Sequence, residues 1–303
     1  MKHSNLLLSA AAVFCLVVPV WPGAAEDQRG TASKKRVKAS LVAPSVSLDE
    51  ILEEVKLETI YETAFDGPLK MLPITDLLDE RGKQIVSEPP EDIDWILEGP
   101  AEISVKEGRM HMKNDPSGNC VLWNTRIFPD SFVAEWDFQH LHPQGTALFF
   151  FAAYPAGGGS IYSPGLPPRR GNFGHYTRGS IFSYHTSYSA TDEEGVPRGS
   201  IHLKKNVCDK EKGNNTGVEG LSPIDGRTDK PFHLRLAKLE NRLILEIDGK
   251  VYFDWTDEGV NGLPAFGGGQ IGFRQMRHTL EGSYGSLSVK AVKSLEKQEP
   301  SGN

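Results

Sequence analysis

From Asp94 onward, apolar and polar residues alternate with the period of a pleated strand. Trp95 and Leu97, then Ile103 and Val105, recur at every second position, and Arg109-Met110-His111-Met112 continues as a short strand. Phe132, Ala134, Trp136 and Phe138 fall on one strand face, with Glu135, Asp137 and Gln139 on the other. Residues 147–153 are apolar at both parities, which predicts a central strand covered on both sides. Further strands are predicted over 181–188, 200–206, 232–236 and 286–289. Two alternating runs flank Asp248-Gly249, a strong two-residue hairpin signal. About a dozen short strands without a βαβ rhythm predict an all-β fold, an antiparallel sandwich or jelly roll. Ahead of it, Leu48, Ile51, Leu52 and Val55 have helical spacing, and Ser47 is placed to cap a helix over 48–57 that packs on the domain edge. Residues 66–92 read as loop. No repeat and no second domain emerge.

The first 25 residues change the picture of where this domain works. Lys2 and His3 precede an apolar stretch from Leu6 to Val20, and Gly23-Ala24-Ala25 follows. That order predicts a secretory signal cleaved after Ala25 and an exported protein, periplasmic or extracellular. The apolar run is too short for a comfortable membrane span, and Cys15 lacks the small residues that precede a lipoprotein cysteine. Residues 26–47, with Lys34-Lys35-Arg36-Lys38, read as a solvated linker rather than a polyanion patch. One sandwich domain is assigned to 48–292 and a tail to 293–303. Hydrophobic residues at 38 % and charged residues at 24 % exclude a disordered chain as a whole. A net charge of −7 argues against a nucleic-acid surface. After the signal only Cys120 and Cys208 remain, as a disulfide or as two free thiols.

Candidate chemistry concentrates in two places. Glu135 and Asp137 share a face, as a glycosidase pair would, and Gln139 or His140 stands where a second catalytic Glu is needed. Around 175–188, alternation puts Tyr184, Thr186 and Tyr188 on one face and Ser183, His185 and Ser187 on the other. A His beside a Tyr suits base and acid work in a lyase, with cationic or amide groups neutralising a uronate. On that reading His185 is the base and Tyr188 or Tyr184 the acid. Arg274 and Gln275 hold the substrate, with Arg178, Tyr176, Asn206 and Lys205 as further contacts. The loop over 155–174, with Arg169-Arg170, is long enough to border a cleft. No metal site is expected, although Asp225, Asp229, Asp254 and Asp257 have the chemistry for a structural Ca²⁺. No other cofactor is expected.

Four segments carry a family resemblance: Asp94-Trp95-Ile96-Leu97-Glu98-Gly99-Pro100, the strand over 132–138, Tyr184-His185-Thr186-Ser187-Tyr188, and Ile271-Gly272-Phe273-Arg274-Gln275-Met276. Together they resemble the YesU-like bacterial domain-of-unknown-function family, over roughly residues 60–292. The resemblance implies a concanavalin A-like lectin/glucanase fold with two curved sheets and a concave groove. It also implies a setting of acidic, pectin-like polysaccharide breakdown. It brings no catalytic set with it. The expected function is an exported carbohydrate-active protein acting on a polysaccharide or oligosaccharide by lyase or glycoside-cleaving chemistry. A non-catalytic carbohydrate-binding module is the alternative, and a structural sandwich used in protein contacts the third reading.

Overall fold

A computed structural model describes residues 46–83, 88–199, 201–209 and 211–293. The predicted signal over 1–25, nearly all of the predicted linker and the predicted tail beyond 293 lie outside the described residues. Among those described, sixteen strands and two short helices alternate with turns. In chain order the strands are β1 Lys56–Thr63, β2 Met71–Pro73, β3 Trp95–Glu98, β4 Ala101–Lys106, β5 Arg109–Asn114, β6 Cys120–Asn124, β7 Phe132–His140 and β8 Gly145–Pro155. They continue as β9 Ile181–Thr191, β10 Ile201–Asn206, β11 Asn215–Gly220, β12 Phe232–Leu239, β13 Arg242–Ile247, β14 Lys250–Thr256, β15 Gln270–Gln275 and β16 Glu281–Lys293. The helices are α1 Leu48–Leu52 and α2 Phe173–Thr177.

Two sheets form. The first runs β14-β13-β12-β7-β16-β5-β4, with β1 also paired to β16; the second runs β11-β10-β9-β8-β15-β6-β3-β2. Pairing is antiparallel except between β2 and β3. The β-sandwich expected from the alternation is therefore present, because every strand with one apolar face must bury it against another sheet. Trp136 of the first sheet stacks on Phe149 of the second at 4.5 Å and meets Phe273 edge-on at 5.9 Å, so the aromatic inner faces interlock. The 147–153 stretch, apolar at both parities, is indeed central: β8 lies between β9 and β15 with both faces covered.

The hairpin at Asp248-Gly249 forms with Ile247 paired to Lys250, and both turn residues have positive φ, 50° and 74°. Those angles define the primed turn whose twist matches the strands. Replacing Gly249 by Val puts a β-branched residue in the left-handed region. It is expected to cost about 1–2 kcal/mol, read as a lowered urea midpoint.

The predicted N-terminal helix is shorter than its spacing suggested. Ser47 caps it as expected, in a capping box with Glu50, but it stops at Leu52. Residues 56–63 instead form β1, because a helix this short is marginal and antiparallel pairing with β16 gives this segment its backbone partners along one side. Leu48 and Leu52 pack on Val133, Ala237, Ile244 and Val251, so α1 rests on the outer face of the first sheet rather than the domain edge. Strands β2, β6 and β11 and helix α2 went unpredicted. Cys120 and Cys208 are both free. Cys120 lies on β6 and Cys208 just beyond β10, four strands away and about 19 Å apart across the sheet, well past disulfide reach. No helix among the described residues is long and apolar enough to cross a membrane.

Candidate functional site

The outer face of the second sheet is built from two transverse rows of side chains. One passes from Ile96 through Trp123 and Phe150 to His185, Lys204 and Asn215. The next passes from Glu98 through Val121 and Arg274 to Ser187, His202 and Glu219. Both rows change character at the same strand. Toward β3 both are buried, the first apolar and the second carrying the charged Glu98 and Arg274; at β10 and β11 they are polar and reach solvent.

The buried half is covered by the segment between β8 and β9, which carries α2. Tyr176 lies against Trp123 and Phe150, at 6.2 and 5.4 Å between ring centres. Asn172 caps the start of α2 by accepting from Gly174 N–H. The segment is fastened by Glu98, which has no exposed surface. Its carboxylate accepts from Arg169 Nη2 at 2.7 Å, from Tyr176 hydroxyl at 2.7 Å and from Trp123 Nε1 at 3.2 Å. Arg274 sits between Phe173 and Tyr176, its guanidinium 4.9 and 5.1 Å from their ring centres, and donates to Gly171 O at 2.9 Å. Gly99 and Gly171 approach Asn119 O so closely that a Cβ at either would lie 2.1 or 1.8 Å from it. Both have positive φ, so the sequence Gly99-Pro100 and the glycine after Arg170 let the wall close on the sheet.

At the border between the covered and open halves stands His185, 3 % exposed. Asn206 donates to Ser183 Oγ at 2.9 Å and lies 3.0 Å from His185 Nδ1 through the same amide nitrogen. An accepting Nδ1 means a neutral imidazole with its proton on Nε2. Burial pushes its pKa down to about 3, and the neighbouring charges of Arg274, Lys204 and His202 push the same way. Phe173 meets the His185 ring edge-on at 5.5 Å. The site is thus a polar strip beside an aromatic wall, with Lys204 as its solvent-reaching cation, Arg274 buried behind it and the exposed Glu219 at the far end of the second row. Its chemistry is to donate hydrogen bonds and attract negative charge.

The residues singled out from the sequence divide among four places. His185, Asn206 and Arg274 do come together on this face, with Tyr176 in its wall and the exposed Arg178 at the end of α2. Tyr184 and Tyr188 do not join them: both point into the core between the sheets, so neither can serve as acid to His185. Tyr184 hydroxyl donates to Asp257 at 2.5 Å and accepts from Phe266 N–H at 2.9 Å. Tyr188 packs on Phe138 and Trp136. Burial raises both phenols' pKa values. Lys205 and Gln275 are also internal; Lys205 pairs with Asp257 at 2.7 Å and Gln275 donates to Tyr284 hydroxyl at 3.1 Å. The reason is strand parity: Tyr184, Lys205 and Gln275 are sequence neighbours of His185, Asn206 and Arg274, and successive strand side chains point oppositely.

Glu135, Asp137 and Gln139 lie on the outer face of the first sheet, the far side of the sandwich. Glu135 is held by Lys290 and Arg235 at 3.3 and 3.5 Å, Asp137 by His233 at 2.9 Å, and Gln139 donates to Asp229 O. Glu135, Asp137, His233 and Lys290 border a hollow of about 230 Å³. His140 is internal, 2.6 Å from Ser189 Oγ, with its pKa pushed down to about 4 by burial. The four candidate Ca²⁺ aspartates are not gathered. Asp254 pairs with Arg242, Asp225 with Arg227 and Asp257 with Lys205. Among the described residues no group of three or more His, Cys, Asp or Glu is placed to hold a metal.

Sequence reasoning missed Glu98, Trp123, His202 and Lys204. Parity against Ile201 and Leu203 was the available signal for the last two. Glu98 gave none, since a carboxylate at a strand end ordinarily faces water.

The family model described as "Domain of unknown function (DUF1961)" matches residues 84–289. The uncharacterized protein YesU of Bacillus subtilis (strain 168) is 30 % identical over 188 residues, 60 % of this chain and 83 % of that protein. A crystal structure of a Bacillus subtilis protein of unknown function with a galectin-like fold superposes with a TM-score of 0.59 at 23 % identity. That likeness covers 80 % of this chain and 100 % of the other, and it agrees with the lectin-like sandwich built above. By residues 84–289 and by the fold they build, the chain belongs to the DUF1961, or YesU-like, family.

Proposed function

We propose that the outer face of the second sheet binds an acidic carbohydrate, pectin-like in carrying uronate carboxylates, and holds it without cleaving it. The observation that supports this is the convergence of Arg274, Lys204 and His202 around His185, in a chain whose net charge is −7. A locally placed cation on an acidic protein attracts anions by position rather than by bulk charge. Lys204 supplies charge at the surface, the His202 imidazole and the Asn215 amide supply hydrogen bonds, and Phe173 offers a ring beside them. The lyase expected from the sequence loses support. Its acid candidates face the core, and an imidazole held near pKa 3 is a weak base for abstracting a sugar-ring proton.

The test is titration calorimetry of the chain against polygalacturonate, alginate and neutral glucans, with absorbance near 235 nm and reducing ends followed in parallel. Binding to uronates alone is expected, with neither unsaturated product nor new ends. Lys204→Glu is expected to weaken binding about tenfold or more and flatten its salt dependence. Unsaturated uronate accumulating with the intact chain, or unchanged affinity in Lys204→Glu, defeats the proposal.

A further inference from the structure

Resting on the carbohydrate reading of this face, we infer that the site recognises the end of a glycan chain and not a stretch within it. Along their own length, across the strands, the two rows are open at one end only. At β11 the sheet ends, so a chain lying across β10 and β11 leaves freely over that edge. In the opposite direction it meets α2. Phe173 and Tyr176 stand on the sheet there, and Ile96, Trp123, Phe150 and Arg274 beneath or behind them have no exposed surface.

This wall is built to stay. Arg169 is 2 % exposed and is held by a carboxylate with none, Tyr176 donates to that same carboxylate, and Gly171 O accepts from the buried Arg274. Displacing it would strip a buried Glu and two buried guanidinium groups of their partners, a far larger cost than a sugar contact returns. The open width, from β9 to β11, is two strand spacings, about 10 Å. That is room for a terminal pair of sugar rings. Lys204 and His202 lie at its floor, and the chain-terminal ring abuts Phe173.

The decisive experiment is calorimetry of the intact chain with galacturonate oligomers of one to ten units and with polygalacturonate, reading affinity and stoichiometry together. Affinity is expected to rise about tenfold between one ring and two or three, then to change by less than about twofold with further length. One protein should bind per glycan chain whatever the chain length. A number of bound proteins that grows with chain length, or affinity that climbs steadily to ten units, overturns chain-end recognition while leaving carbohydrate binding intact. Absence of binding at every length removes the carbohydrate reading itself, and chain-end recognition falls with it.

Discussion

Replacing Glu98 by Ala is expected to lower the unfolding free energy by about 3–5 kcal/mol, a large share of the stability of a typical domain. The carboxylate is the shared acceptor for Arg169, Tyr176 and Trp123, and it is wholly removed from water. Its loss leaves the Arg169 guanidinium buried without its counter-charge, and the indole and phenol without an acceptor. Glu98→Gln keeps an acceptor oxygen but not the charge, so its cost should be roughly half as large. Joint replacement of Glu98 and Arg169 by Met should recover much of the loss, because two matched apolar residues leave no orphaned charge. Urea unfolding of the parent, Glu98→Met, Arg169→Met and the double variant forms a double-mutant cycle. A Glu98→Ala variant within about 1 kcal/mol of the parent would show that the wall is not fastened there.

Acidification supplies the second large effect. His185 and His140 are neutral when folded, with pKa values pushed by burial to about 3 and about 4, whereas in the unfolded chain each returns to about 6.5. Between pH 6.5 and pH 4 the unfolded chain therefore binds more protons than the native one, and stability falls as pH falls. At pH 5 each histidine costs about 2 kcal/mol relative to neutrality, about 4 kcal/mol for the two. His202 and His278 are shifted in the same direction, chiefly by partial burial, while His233 beside Asp137 is shifted upward and opposes them. The check is the urea midpoint at pH 7 and pH 5 for the parent and for His185→Gln. The variant should lose about half of the parent's pH dependence; an equal dependence in both would mean that His185 is not held neutral.

The alternation from Asp94 onward determined the sandwich. A strand with one apolar face has few ways to bury it, and the period of two says which residues point inward. The hairpin at Asp248-Gly249 was equally local, since two residues with positive φ define the turn without help from the rest of the chain. The same period of two already separated His185 from Tyr184 and Tyr188, and Arg274 from Gln275. What it leaves open is which of the two parities faces the other sheet. For β7 the aromatics settled that, whereas on β9 both faces carry groups that can hydrogen-bond, and only packing placed Tyr184 against Asp257.

The wall lay further out of reach. Glu98, Arg169 and Tyr176 are 71 and 7 residues apart in sequence. Neither a strand-end carboxylate nor an arginine in a Gly/Pro-rich loop carries a periodic signal. They meet because β3 and β6 lie side by side under the segment that joins β8 to β9, an outcome of strand order. Local periodicity settles which residues share a face, since it acts over a few ångströms of chain. Strand order settles which faces meet and which half of the sheet is left open to a ligand, since it follows from the burial of the whole chain at once.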